Sequence, residues 1–555
     1  MPAETLPGRL LLKPRALGVL LAALAFQQST MPTLMAREWY LQGVVSGLAV
    51  GLSYGAGSLL MRLVWALNRV LDVHPRRLTA TELLWVRGVF AGVLVVLVTL
   101  TTRQAVRQHR WTAERLGVEP SSPWWTALGI ALVTVVVAAL VVLLARGLSW
   151  LRHSVTWLGS RVMPRWASAT LATVLVLWVV AYAAQTWVYA GTLRALNEAF
   201  TLADTQLAPE HPRPESERRS GGPASAVAWE ELGVEGRRFV AEGPSVPDIV
   251  RLGRPGARVV EPVRAFVGRR SEADVRLRAR LAVEELERLG GLERGTLLVA
   301  VPTGKGWVNE QMVQPLEHLL HGDVATVSMQ YSHLPSPLAF LAETEAALDA
   351  GQALVSAVEE RIETLPEEDR PRLLVAGESL GAYGASAAFV DFDDLLARTD
   401  GSLWVGSPSM TRLRQVAEEQ RRPGSLQIRP VLDDHPEVLF ANRPDDLTGR
   451  PRAVFLQQAD DAIVWWDWSV LWRRPDWLAE PLDPSVNPAM EWYPMTTFLN
   501  LAIDMAVSTA FAEGQGHMYG TQPTRAWWAM LRPEGWDERA LAALLEEMAE
   551  IERPR

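Results

Sequence analysis

Arg372-Leu373-Leu374-Val375-Ala376-Gly377-Glu378-Ser379-Leu380-Gly381-Ala382-Tyr383-Gly384 joins an apolar run, a glycine-flanked serine and a stretch of small residues. Leu373 to Ala376 fits a strand buried on both faces, and the small residues after the serine can open a helix. Between them, Gly377-Glu378-Ser379-Leu380-Gly381 matches G-x-S-x-G, the nucleophile elbow. The glycines answer a steric demand. A strand reversing into a helix within a few residues strains the serine backbone, and side chains at 377 and 381 would collide with neighbouring elements. The Ser379 hydroxyl would stand above the carboxyl edge of the sheet. The next backbone N–H, that of Leu380, lies at the positive end of the new helix, where an oxyanion would form.

Around this stretch, strands and helices alternate. Apolar runs at 262–267, 296–301, 324–329, 402–405 and 453–457 are separated by helical stretches such as 273–289, 308–320 and 338–364. That order predicts an α/β fold over 225–555, a mainly parallel, doubly wound sheet with ligands at the carboxyl ends of its strands.

A serine presented in this way needs an acid and a base later in the chain, in the order Ser, Asp or Glu, His. Of nine histidines, only His517 lies beyond the last recognisable strand, in the glycine-rich loop Glu513-Gly514-Gln515-Gly516-His517-Met518-Tyr519-Gly520. Its imidazole would take the Ser379 proton and return it to the leaving group. The acid should follow the run Ala453 to Gln458, where Asp460 and Asp461 both stand; one spacer and a β-branched pair after the acid favour Asp461.

The loop Pro302-Thr303-Gly304-Lys305-Gly306-Trp307 follows an earlier strand. Thr303 and Gly304 are its candidates for a second oxyanion N–H, and Lys305 and Trp307 for substrate contact, Lys305 towards an anionic group. A phosphate-loop reading fails, because the first glycine of G-x-x-x-x-G-K would fall on Val299 and Gly306 follows the lysine. The run Val464-Trp465-Trp466-Asp467-Trp468-Ser469-Val470-Leu471-Trp472, with Trp477 beyond, reads either as a helix packing aromatics into the core or as an apolar acyl-binding wall or interfacial lid, with Trp465 and Trp466 nearest the acid.

Charge divides the 555 residues in two. Residues 1–200 hold 18 Lys plus Arg against 7 Asp plus Glu, a net of +11, which leaves −20 for the rest of a chain whose total is −9. The acidic part argues against nucleic acid as a partner, while the basic, Trp-rich first part suits an anionic bilayer surface. Segments 16–35, 40–66, 84–102, 124–145 and 168–191 are long enough to cross roughly 30 Å of hydrocarbon. The first is interrupted by Gln27, Gln28, Ser29, Thr30 and Pro32, so a re-entrant or interfacial course, or a cleaved signal peptide within 1–30, is an alternative. With five crossings and an inner N-terminus, ten Lys and Arg fall inside and six outside, which places the second half outside the cytoplasm; with the first segment not crossing, that half is cytoplasmic. Residues 201–224, with Pro209, Pro212, Pro214, Ser220, Gly221, Gly222 and Pro223, read as a flexible linker between a helical membrane domain, 1–200, and the α/β domain. There is no cysteine, so disulfides, thiolate metal sites and a Cys nucleophile are excluded. No metal cluster or dinucleotide fingerprint is visible, so no cofactor is expected.

The chain resembles a bacterial family of membrane-anchored α/β-hydrolases of uncharacterised function. The motifs that carry the likeness are Gln42-Gly43 with Gly47, Leu232-Gly233 through Gly236-Arg237-Arg238-Phe239-Val240, Pro302 to Trp307, Gln330-Tyr331-Ser332-His333-Leu334-Pro335-Ser336, Gly377 to Gly381, Ile463-Val464-Trp465-Trp466 and Gly516-His517. The resemblance implies Ser379, Asp461 and His517 as catalytic residues. Two departures stand out: Ala462 occupies a place where Pro is expected, and the stretch 496–511 before His517 reads as helix rather than strand. The expectation is a membrane-anchored serine hydrolase acting on an ester of a lipid or other acylated amphiphile. An acyltransferase with the same residues and a non-catalytic binding or regulatory module are the alternatives.

Overall fold

The computed structural model describes residues 14–72, 79–116, 123–206, 211–254 and 256–551. Arg9, Lys13, Arg76 and Arg77 of the charge count, Pro209 of the linker and the first residues of the signal-peptide reading lie outside them. The chain forms two compact units, one of 1–189 with 467–507 and one of 190–466 with 508–555.

The second unit is built on seven parallel strands: β1 (Val263–Val267), β2 (Thr296–Val301), β3 (Val324–Met329), β4 (Arg372–Glu378), β5 (Gly401–Val405), β6 (Val438–Ala441) and β7 (Ala453–Leu456), in the spatial order β1-β3-β2-β4-β5-β7-β6. All residues of β1, β2, β3, β5 and β7 are buried, as strands covered by helices on both faces must be. Six strands fall on the apolar runs of the sequence. The seventh, β6, is four residues between Pro436 and a Pro-Asp turn, too short to show a period of its own. Between β7 and His517 no strand occurs among the described residues; Thr496–Val507 is a helix.

The first unit contains helices α1 (Pro14–Ser29), α2 (Trp39–Val70), α3 (Ala80–Leu116), α4 (Pro123–Gly159) and α5 (Arg165–Ala183). Four helical runs, Trp39–Asn68, Ala80–Gln108, Trp124–Gly159 and Arg165–Asp204, are long and apolar enough to cross a membrane. The described part of α1, 16 residues or about 24 Å, is not among these runs. The backbones of α2 and α4 meet through a stripe of glycines. A Cβ at Gly43, Gly47 or Gly51 would stand 2.6, 2.5 or 2.8 Å from the Cβ of Val133, Val137 or Val141, the small-residue contact by which helices approach in lipid.

Two boundaries differ from the sequence reading. The helix α6 (Ala190–Asp204), which continues the last apolar run after a π-helical turn at Ala184–Tyr189, belongs to the second unit. The described part of the expected linker is folded. Ser220 is buried and its N–H donates to the Arg264 carbonyl (3.0 Å), while Arg219 donates to the carbonyls of Val240 (2.9 Å) and Gly243 (3.2 Å). Arginine donors that satisfy free carbonyls near a helix end fix a segment that composition alone marks as mobile. Conversely, 467–507 leaves the α/β half of the sequence and folds with the apolar helices. There the Asp504 carboxylate meets Arg37 (3.0 Å), the Leu34 N–H (3.2 Å) and the Thr33 hydroxyl.

Candidate active site

β4 ends at Glu378 in the middle of the sheet and the helix Leu380–Ser386 begins two residues later. Ser379, between them, has φ 54 and ψ −121, a conformation that costs a non-glycine residue about 1–3 kcal/mol and persists only where surroundings impose it. They do so here. The Ser379 N–H donates to the Val405 carbonyl (2.8 Å), and the Ser379 carbonyl accepts from Tyr383 (3.0 Å). A Cβ at Gly377 would stand 2.4 Å from the Gly381 carbonyl carbon, and one at Gly381 2.2 Å from the Val301 carbonyl oxygen. No side chain fits at either position.

The base arrives on a loop with no strand before it. The His517 N–H donates to the Ser508 carbonyl (2.9 Å), and the imidazole lies on Gly406, where an added Cβ would stand 2.3 Å from Cε1. Gly406 directly follows the Val405 that holds Ser379, so the ring is seated over the strand end next to the elbow. Of the two aspartates, it is Asp461 that meets the ring: its Oδ2 lies 2.6 Å from His517 Nδ1 and its Oδ1 accepts the Ile463 N–H (2.9 Å). Asp460 is buried one residue away.

Tyr519 was not among the sequence candidates. Its hydroxyl donates to Asp461 Oδ2 (2.9 Å) and accepts from the Gln458 N–H (3.0 Å). Burial, then the Asp461 charge, push this phenol well above its ordinary range, which keeps it a donor to the carboxylate. The only sequence signal was its place two residues after His517. Arg414, also unforeseen, donates to the carbonyls of Val464 (2.5 Å) and Ser407 (3.1 Å), tying the acid loop to the segment after β5.

The loop after β2 runs beside the elbow, since Val301 pairs with Gly377. Within it the Thr303 N–H donates to the Trp307 carbonyl (2.9 Å), and the Cβ position of Gly304 faces the Leu334 carbonyl (2.5 Å). Lys305 is ion-paired with buried Glu235 (2.5 Å), and Trp307 is half-buried. The Trp465 indole donates to the Ala459 carbonyl (2.8 Å), and Trp466 is buried with its ring edge-on to Phe340 (5.9 Å). These two tryptophans therefore pack under the acid loop. From Asp467 on, the aromatic run belongs to the other unit, where Trp468 is exposed and lies against Phe498.

Beside Ser379, Leu380 is buried in an apolar cluster with Leu334 and Ala339, against which Leu193, Leu196 and Phe200 of α6 pack. Their spacing places these three on one helix face, a pattern visible in the sequence but masked there by the apolar run that precedes it.

A model of a family described as the alpha/beta-hydrolase family matches residues 263–544, and one described as that family's N-terminus matches 31–244. No curated protein and no solved structure matches the chain.

Proposed function

The chain belongs to the alpha/beta-hydrolase family, and from this we propose that it is a serine hydrolase cleaving carboxylic esters through an acyl-Ser379 intermediate. The observation that carries the reading is the buried Asp461–His517 pair, 2.6 Å apart, seated on the strand end that holds the strained Ser379. His517 Nε2 would take the Ser379 proton as the hydroxyl attacks the ester carbonyl. Asp461, fixed by Tyr519 and the Ile463 N–H, would orient Nδ1–H and stabilise the imidazolium. The Leu380 N–H, first of its helix, would receive the oxyanion. Protonated His517 would then release the alcohol, and water would free the acid by the same route.

An acyl chain is the favoured substrate part, because the residue next to the nucleophile, Leu380, belongs to an apolar cluster packed by α6. Four helices of membrane-crossing length support anchoring in a bilayer, which raises the local concentration of a lipid or other acylated amphiphile. Labelling of the full-length protein by a fluorophosphonate tests the chemistry. Wild type should be modified at Ser379 and Ser379→Ala should not; an unlabelled wild type would leave an anchored binding module. A lipid ester supplied with alcohol acceptors then separates free acid from a transferred acyl group.

A further inference from the structure

The sequence motifs around Gly233 and around Gln330-Tyr331-Ser332-His333 converge on Asp204, the last residue of α6. A carboxylate is unfavourable at a helix C-terminus, where the dipole is negative, and burying it costs free energy unless donors surround it. Asp204 is buried and surrounded: Oδ1 accepts the Val234 N–H (2.9 Å), and Oδ2 accepts from Gln330 Nε2 (3.2 Å) and lies 3.1 Å from His333 Nδ1. This position is unsuited to helix stability, so its role lies in what it holds.

What it holds leads to the elbow. The Gln330 amide that reaches Asp204 also donates to the Lys305 carbonyl (2.9 Å), and its Oε1 accepts the Arg269 N–H (3.1 Å). Its stem lies so close to Gly306, whose φ is +97, that a Cβ there would stand 2.9 Å from Gln330 Cγ. The Gln330 backbone is anchored, because its own N–H donates to the Val267 carbonyl (2.9 Å) at the end of β1. The 302–307 loop is in turn closed on itself by Thr303 and Trp307, and its first residues touch the elbow through Gly381, whose Cβ position lies 3.0 Å from the Pro302 carbonyl oxygen.

We propose that Asp204 and Gln330 are positioning residues that fix the 302–307 loop against Ser379 from the end of α6, the continuation of the last membrane-crossing run. The inference rests on the hydrolase reading for its effect on rate, and on geometry alone for the tie itself. Neither residue touches substrate. Loosening them moves backbone beside the developing oxyanion, where a displacement of about 1 Å costs up to roughly 100-fold in rate.

The test uses full-length protein in detergent or nanodiscs with a water-soluble short-chain aryl ester, and compares wild type with Gln330→Ala, Asp204→Ala and Asp204→Asn. Gln330→Ala and Asp204→Ala should lower kcat about 10- to 100-fold with KM within about twofold. Asp204→Asn keeps a single acceptor oxygen, able to serve Val234 or Gln330 but not both, and should recover only part of that loss. Amide hydrogen exchange at 303–307 should rise in Gln330→Ala while β2 and β4 stay protected. Rates within twofold of wild type in both alanine variants, or unchanged exchange at 303–307, would overturn the proposal. A general loss of protection across β2 and β4 would do so too, since it marks a merely structural role. A wild type without Ser379 labelling would overturn the hydrolase reading instead, and the exchange data would then decide the tie.

Discussion

At the residue scale, Asp460 and Asp461 make the sharpest contrast. They are neighbours in the chain and both buried, yet it is Asp461 that meets both the imidazole and the phenol of Tyr519. Asp461→Asn should lower kcat by roughly 10⁴-fold, because the amide favours the wrong imidazole tautomer, whereas Asp460→Asn should cost less than about tenfold. Steady-state hydrolysis of an aryl ester distinguishes the two. Tyr519 links the site to stability. Its folded-state proton is held above the ordinary value of 10.0, so the unfolded chain releases it first, and stability falls as pH rises above that value. Below it, Tyr519→Phe should remove about 1.5–3 kcal/mol, the worth of a hydrogen bond to a charged group, and should show a shallower alkaline slope, since Tyr331 and Tyr383 are raised as well. Unfolding midpoints of the two proteins at about pH 8 and about pH 11 check both statements. The serine and the histidine could be read from local pattern because glycine spacing is a local steric requirement. Tyr519 and Arg414 could not, since their partners are fixed only when β5 and β7 pair.

At the scale of elements, parallel pairing and burial on both faces made the strands legible as unbroken apolar runs; only β6, four residues long, escaped. The stretch before His517 is helical, as its sequence reads, and among the described residues no strand of the family pattern precedes the base. Thr496–Val507 is a helix with an apolar face, and His517 takes its position from the Ser508 carbonyl and from Gly406 instead of from a ladder. The linker was misread for a different reason: Pro and Gly report local bends, whereas Arg219 and Ser220 are held by carbonyls far along the chain. Among the apolar helices, sequence announced length and hydropathy but not which faces meet. The Gly43, Gly47 and Gly51 stripe supplies that. Gly47→Leu should force α2 and α4 apart and lower the thermal midpoint of the detergent-solubilised protein, while Gly55→Leu, where a Cβ meets nothing within 4 Å, should leave it unchanged.

At the scale of the whole molecule, the chain passes between its two units three times, after Tyr189, after Trp466 and after Val507. The third passage could not be read from sequence, because a 12-residue apolar helix looks the same in a globular core as among membrane helices. A fragment of 190–555 would therefore carry Asp504 without Arg37 and Thr33 and leave the apolar helix Thr496–Val507 uncovered. It should aggregate, and a monodisperse monomer on size-exclusion chromatography would contradict this. The excursion 467–507 has a further consequence for inheritance. A gene that exchanged its hydrolase half with another through one recombination junction would separate that excursion from the helices it was selected with. The two units in this lineage are thus expected to diverge together, as one heritable block.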